Sequence, residues 1–301
     1  PQIIFGTLLM YGIFGENNRM THMLSEAELK AITPLELLAS LKGLNSWKHS
    51  ILYYGSHTAD QVASLMNAKH QAASTLNPAP APALYTQLPT TANKVYQVNF
   101  DMKQAQILML SQSDLYNPAM EPVITLYNQY FGGGMNSLVF QEMRESRALA
   151  YAAMSFYQNL LGKKDDHYYN ISFIMTQTDK MKEAMDAFFE LMNNMPLSEK
   201  AFDLAKSSWI QSTRSERITK ADILFNYESA RKLGLEKDLR RDIFNTLPNL
   251  TFEDVQKFQQ QYVKGKFQTT LVLGNADLID FKMLKKYGKV KKLKLEDIFG
   301  Y

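Results

Sequence analysis

Apolar positions in the first seventy residues recur at helical spacing, with Ile3, Ile4, Leu8 and Tyr11 on one side of the repeat. Thr33-Pro34 sets a capping hydroxyl before a proline at the first helical position and opens a helix over ITPLELLASLKGL. WKHSILYYG reads as a short strand from His49 to Tyr54, and Thr58 caps a further helix, TADQVASLMNAKH. A single strand cannot bury a sheet face. Residues 1–73 therefore read as the tail of a preceding domain. Residues 74–93, STLNPAPAPALYTQLPTTAN, alternate proline and alanine and form an extended, semi-rigid linker.

The pattern changes at Lys94. KVYQVNFD and AQILMLSQSD read as two strands, with a hairpin suggested at Met102-Lys103. Asn117-Pro118 starts a helix that ends at Gly132–Gly134. Asn136 or Ser137 then caps a second helix, whose apolar side is Leu138, Val139, Phe140 and Met143. ALAYAAMSFYQ and HYYNISFIMTQ read as two more strands joined by the polar turn GKKDD. Thr178-Asp179 caps a helix with Met181, Met185, Phe188 and Met192 on one face. Three helical segments follow: LSEKAFDLAKSSWIQST, ADILFNYESARKL and TFEDVQKFQQQYV, the last opened by a Thr251/Asp254 capping box. FQTTLVLG is the last clear strand, before a Lys-rich tail that reads as a solvated face. Strands in adjacent pairs, separated by helices, predict an α+β fold with an antiparallel or mixed sheet and helices packed on one face. A complete domain is expected over 94–301.

Bulk properties narrow the function classes. With 301 residues and 46% hydrophobic content the chain can fill more than one core. A net charge of +3 gives no electrostatic case for nucleic acid as the main partner. No apolar run reaches the roughly 20 residues of a membrane-spanning helix. The absence of cysteine excludes disulfides, thiolate zinc sites and cysteine nucleophiles. The chain opens at Pro1 inside a helical pattern, without a signal-peptide n-region, and reads as a fragment or a processed product.

Gly132–Gly134 follows a helix and has the spacing of neither a phosphate loop nor a dinucleotide loop. Its plain reading is a helix C-cap and a tight turn. The five histidines form no His-Glu-x-x-His or His-x-x-Glu-His set, so no metal site is expected from this chain alone. No Gly-x-Ser-x-Gly elbow is present. Arg144, near the end of its helix, and Tyr151, at a strand start, remain. Taken singly, each has an ordinary structural explanation: a cation favoured by the helix dipole and a half-buried aromatic.

Together, the residues YFGGGMNSLVFQEMRESRALAY resemble the signature of the C-terminal half in the pitrilysin/insulinase family of zinc metallopeptidases, which includes the mitochondrial processing peptidases. The small-residue turn is Gly132–Gly134, the helix start Asn136-Ser137, the helix end Arg144-Glu145, and the following tyrosine Tyr151. The similarity extends from about Lys94 to Tyr301. It implies a half-enzyme that supplies Arg144 and Tyr151 as catalytic residues, and Arg144 with Asn136 as substrate-binding residues. The zinc of the complete enzyme would be held by an N-terminal half of the same polypeptide or by a partner subunit. The substrate would be an extended peptide, and the compartment a bacterial periplasm or cell envelope. Two other readings are a family half that has lost catalysis and serves assembly, and a peptide-binding module that uses an exposed strand edge.

Overall fold

The computed structural model describes residues 1–70 and 72–301. Its N-terminal part holds four helices: α1 (Gln2–Phe14), α2 (Glu26–Ala31), α3 (Pro34–Gly43) and α4 (Ala59–Lys69). Ser25, Thr33 and Thr58 each close a capping box on the helix that follows. The extended run 94–301 begins with β1 (Lys94–Asn99), β2 (Gln104–Leu115) and α5 (Glu121–Phe131). Next come the single turn α6 (Leu138–Phe140), continued as a π-helical turn over Gln141–Ser146, and the strands β3 (Ala152–Asn159) and β4 (His167–Gln177). Five helices follow: α7 (Met181–Asn193), α8 (Glu199–Ser215), α9 (Ala221–Lys232), α10 (Leu239–Thr246) and α11 (Phe252–Tyr262). The chain closes with β5 (Thr269–Gly274), α12 (Phe281–Leu284), β6 (Lys289–Leu293) and α13 (Leu295–Phe299).

The expected α+β fold with a mixed sheet is present. Six strands lie in the order β3-β4-β2-β5-β1-β6. The β3/β4, β4/β2 and β2/β5 pairs are antiparallel, and β1 runs parallel to both β5 and β6. Alternation along β2 feeds two cores. Ile107 and Met109 face a large cluster built on Leu126, Tyr127, Phe131, Met185, Phe188, Val255 and Phe258, the main helical layer. Leu108 and Leu110 face the other side, where Leu8, Tyr11 and Ile13 of α1 and Ile298 of α13 pack with Leu271 and Leu273. α1 and α13 thus add a second, thinner helical cover. The approach of α1 is close enough that a Cβ on Gly12 would stand 2.8 Å from the side chains of Leu110 and Leu271. All six residues of β5 are buried, as a strand covered on both faces requires.

Three expectations change. Residues His49 to Tyr54 form no strand; they run exposed, and the nearest ladder contact is a single bridge from Trp47 to Asn77. Among the described residues no neighbouring strand offers this segment its backbone groups, so the β-like pattern has nothing to pair with. β1 and β2 are not a hairpin, because β5 lies between them, parallel to one and antiparallel to the other. FQTTLVLG is not the last strand, since the Lys-rich tail contains β6, which pairs with β1.

The linker region leans on the sheet through its second half. Leu88 N–H donates to the Ile13 carbonyl, and Gln112 N–H to Thr90 Oγ1. The Gln87 amide reaches Asp166 at 3.0 Å. Helices α2, α3 and α4 contain no buried residue.

Candidate functional site

The segment from Gly132 to Tyr151 is built outward from α5. At the end of that helix Gly132 and Gly133 both donate to the Asn128 carbonyl. The Gly132 carbonyl then accepts from Ser155 N–H of β3 at 3.3 Å. A Cβ on Gly132 would lie 2.2 Å from the Ser155 oxygen, so no other residue fits there without moving the strand. The Asn128 side chain completes the seal: it accepts from Tyr157 N–H at 2.8 Å and donates to the Tyr157 carbonyl at 2.9 Å. The glycines therefore seat the helix end against the outer edge of β3, and that edge is occupied at Ser155 and Tyr157.

Ser137, not Asn136, caps α6. Its hydroxyl accepts from Phe140 N–H and donates to the Gly134 carbonyl. Leu138, Val139 and Met143 are buried and anchor the turn to the core. The Met143 carbonyl accepts from both Leu149 and Ala150, which ends the π-helical turn, and Tyr151 N–H donates to Met175 at 2.7 Å as β3 begins. Between these anchors Ala148 takes a left-handed backbone, φ 49°. The helix end and the strand start are thus clamped independently.

This clamping brings Arg144 and Tyr151 together. The guanidinium carbon lies 5.8 Å from the Tyr151 ring centroid and 5.1 Å from that of Phe140. Arg144 is about half exposed, with Glu145 as a loose ion-pair partner at 3.7 Å. Tyr151 is 66% exposed, its phenol open to solvent. Arg147, by contrast, is held in ion pairs with Glu142 and Glu190. Asn136 is exposed in the turn before α6, at the other end of the helical segment from Arg144 and on the order of 12 Å away along its axis. The sequence places Phe140 on the apolar side of the helix without pairing it with Arg144, although its i, i+4 spacing to Arg144 is the signal for a helical contact.

A second polar cluster, which the sequence pattern does not single out, lies at the start of α5. Beside a cleft of about 220 Å³ lined by Thr125, Asn128 and Tyr157, the Tyr168 hydroxyl donates to Glu121 at 2.7 Å. The buried Tyr116 hydroxyl has no partner among the described residues. Burial raises the Glu121 carboxyl from its ordinary value, partly offset by the Tyr168 hydrogen bond. It pushes Tyr116 up to about 12, with a smaller contribution from the charge on Glu121.

No curated protein matches the sequence in a direct comparison. Solved structures share the fold. A peptidase M16 inactive domain from Pseudomonas fluorescens is 19% identical with a TM-score of 0.64, the match covering 90% of this chain and 65% of that one. The ferredoxin protease FusC, solved as a mutant in complex with Arabidopsis ferredoxin, is 16% identical with a TM-score of 0.65, over 90% of this chain and 30% of that one. A protease from Helicobacter pylori is 15% identical with a TM-score of 0.57, over 72% and 53%. The chain thus spans less than two thirds of the length of each of these structures. The family model described as the peptidase M16 inactive domain matches residues 50–208, just over half of the chain. The chain belongs to the peptidase M16 inactive domain family.

Proposed function

We propose that this chain is the half of an M16-type peptidase that does not carry zinc, and that it presents Arg144 and Tyr151 to an extended peptide substrate. Among the described residues no three His, Cys, Asp or Glu side chains converge. The close imidazole pair, His49 and His70, with Nε2 atoms 2.7 Å apart, offers two donors and no third. In this reading the metal and its full ligand set belong to the N-terminal half of the same polypeptide or to a partner subunit.

The pairing of an exposed phenol with a guanidinium carries the proposal. When a nucleophile adds to the scissile carbonyl, negative charge develops on its oxygen. Tyr151 donates a hydrogen bond to that oxygen, a contact that strengthens with the charge. Arg144 keeps the ring oriented from one side. Its remaining N–H groups are free to bind peptide carbonyls in a planar fork. Asn136, in the exposed turn, contacts the peptide further along. Because these groups sit outside the zinc-carrying half, hydrolysis waits until the two halves close on the substrate.

The family's description as an inactive domain favours a second reading. Here the chain is a structural or peptide-holding half that contributes nothing to the chemistry. Peptide hydrolysis by this chain alone, by the zinc-carrying half alone and by both together separates the two. The proposal expects turnover only from the combination. Equal turnover by the zinc-carrying half alone contradicts it.

A further inference from the structure

Seven of the chain's 33 basic residues and none of its 30 acidic ones fall between Lys282 and Lys294; without that stretch the net charge of +3 becomes −4. All seven lysines are exposed, and β6 runs through the middle of them. Among the described residues β6 has β1 as its one neighbour strand, and its other edge ends the sheet. Lys289 N–H donates to the Asn93 carbonyl. In a parallel ladder this fixes the alternation: Lys289, Lys291 and Leu293 turn their backbone groups toward β1, while Val290 and Lys292 turn theirs outward. Among the described residues no protein group bonds to those outward N–H groups. The side chains leave the strand on both faces. Lys291 lies with Tyr11 and Glu16 on the α1 side, and Lys292 sits over the Phe281 ring on the other. A strand laid beside β6 meets positive charge above and below its own backbone.

We propose that this open edge docks an acidic, extended segment of another polypeptide, added to the sheet beside β6. Backbone hydrogen bonds to Val290 and Lys292 supply affinity, as in other cases of strand addition. Acidic side chains on the added strand stand opposite lysines at cross-strand distance, where opposite charges stabilise and like charges repel. Lysines on an edge strand guard it against indiscriminate pairing, and by the same charge they admit an acidic strand. An anionic lipid surface or a nucleic acid also attracts lysines, but neither engages outward N–H and C=O groups in register. The unpaired backbone therefore favours a polypeptide.

The test uses a fluorescent peptide of about eight residues alternating Glu and Val, a second with Lys replacing Glu, and fluorescence anisotropy. The acidic peptide is expected to bind and to weaken severalfold between about 50 and 300 mM salt; the basic peptide is not expected to bind. Val290→Pro preserves every charge and removes one outward donor at an edge position that tolerates proline. It should weaken acidic-peptide binding about tenfold, the worth of one hydrogen bond, with circular dichroism unchanged. Lys289→Glu with Lys292→Glu should abolish binding. Equal binding by wild type and a folded Val290→Pro chain overturns strand addition in favour of a plain charge patch. So does failure of the acidic peptide to bind at low salt, or binding of phosphatidylserine vesicles or duplex DNA in its place.

Discussion

The Arg144 guanidinium lies 5.8 Å from the centre of the Tyr151 ring, with Phe140 on its other contact at 5.1 Å. Exposed cation–π contacts are worth about 0.5–1 kcal/mol, and the Glu145 ion pair is a surface interaction of similar or smaller weight. The arrangement thus contributes little to folding and orients a phenol that is otherwise unsupported. Arg144→Ala is expected to change unfolding free energy by no more than about 1 kcal/mol, measured by urea titration. In the complete enzyme it should depress kcat/KM far more than that loss accounts for. Arg144→Lys should not restore it, because a point charge does not reproduce a planar fork.

Gly132 gives the sharpest structural prediction. Its missing Cβ leaves room for the Ser155 backbone, which cannot retreat without breaking the β3 ladder. Gly132→Ala should destabilise the chain by about 1–3 kcal/mol or more. Gly6→Ala is the control: nothing lies within 4 Å of its added carbon, and it sits inside α1. That change should stabilise by about 0.5–1 kcal/mol. Denaturant midpoints compare the two directly.

Much of this architecture is written locally. The capping boxes at Thr33, Thr58 and Thr251, the alternating strand β3 and the apolar runs of β2 and β4 need only their own neighbours to be read. The insertion of β5 between β1 and β2 is different. Tyr96 pairs with Leu271, and nothing near Tyr96 announces a partner 175 residues away. β6 is masked by its lysines, since only Val290 and Leu293 carry an apolar signal. The same limit hides the site's scaffold. Arg144 and Tyr151 are legible through their spacing in a known signature, whereas the close contact of Gly132 with Ser155 is a tertiary fact. His49 to Tyr54 shows the converse, a strand-like pattern without a partner strand.

Hydrogen exchange should divide the N-terminal block. α1 is packed on the sheet through Leu8, Tyr11 and Ile13, while α2, α3 and α4 contain no fully buried residue. Amides of α1 should therefore exchange at rates near those of β5, and those of α2 to α4 much faster. Leu8→Ala should cost about 2–5 kcal/mol. Uniform protection across residues 1–70 contradicts this division.

Glu121 sets a pH signature. Its carboxyl is raised in the folded chain, so the folded state holds that proton more tightly than the unfolded one. Its stabilising contribution is full below the unfolded carboxylate range, near about pH 4.3, and falls as pH rises through the raised value. Glu121→Gln removes the ionisation and keeps an acceptor for Tyr168. The variant should be more stable than wild type at neutral pH, with the advantage shrinking as the pH approaches 4. Thermal melts across that range check the sign, and an advantage that grows toward acid pH contradicts the assignment.

The central claim is that the Tyr151 hydroxyl works on the substrate. Tyr151→Phe removes that hydroxyl and leaves the ring against Arg144, at a position already 66% exposed, so the fold and the cation–π contact should persist. Loss of one oxyanion donor typically lowers kcat by about 10²–10³, with KM for a short peptide nearly unchanged because the bond matters most in the transition state. The measurement is kcat and KM for the complete enzyme carrying Tyr151→Phe, with melting temperature taken in parallel. A fall of that size in kcat at constant KM and unchanged melting is the predicted result. Wild-type kcat in a well-folded variant contradicts the account and leaves Arg144 and Tyr151 as a surface packing pair.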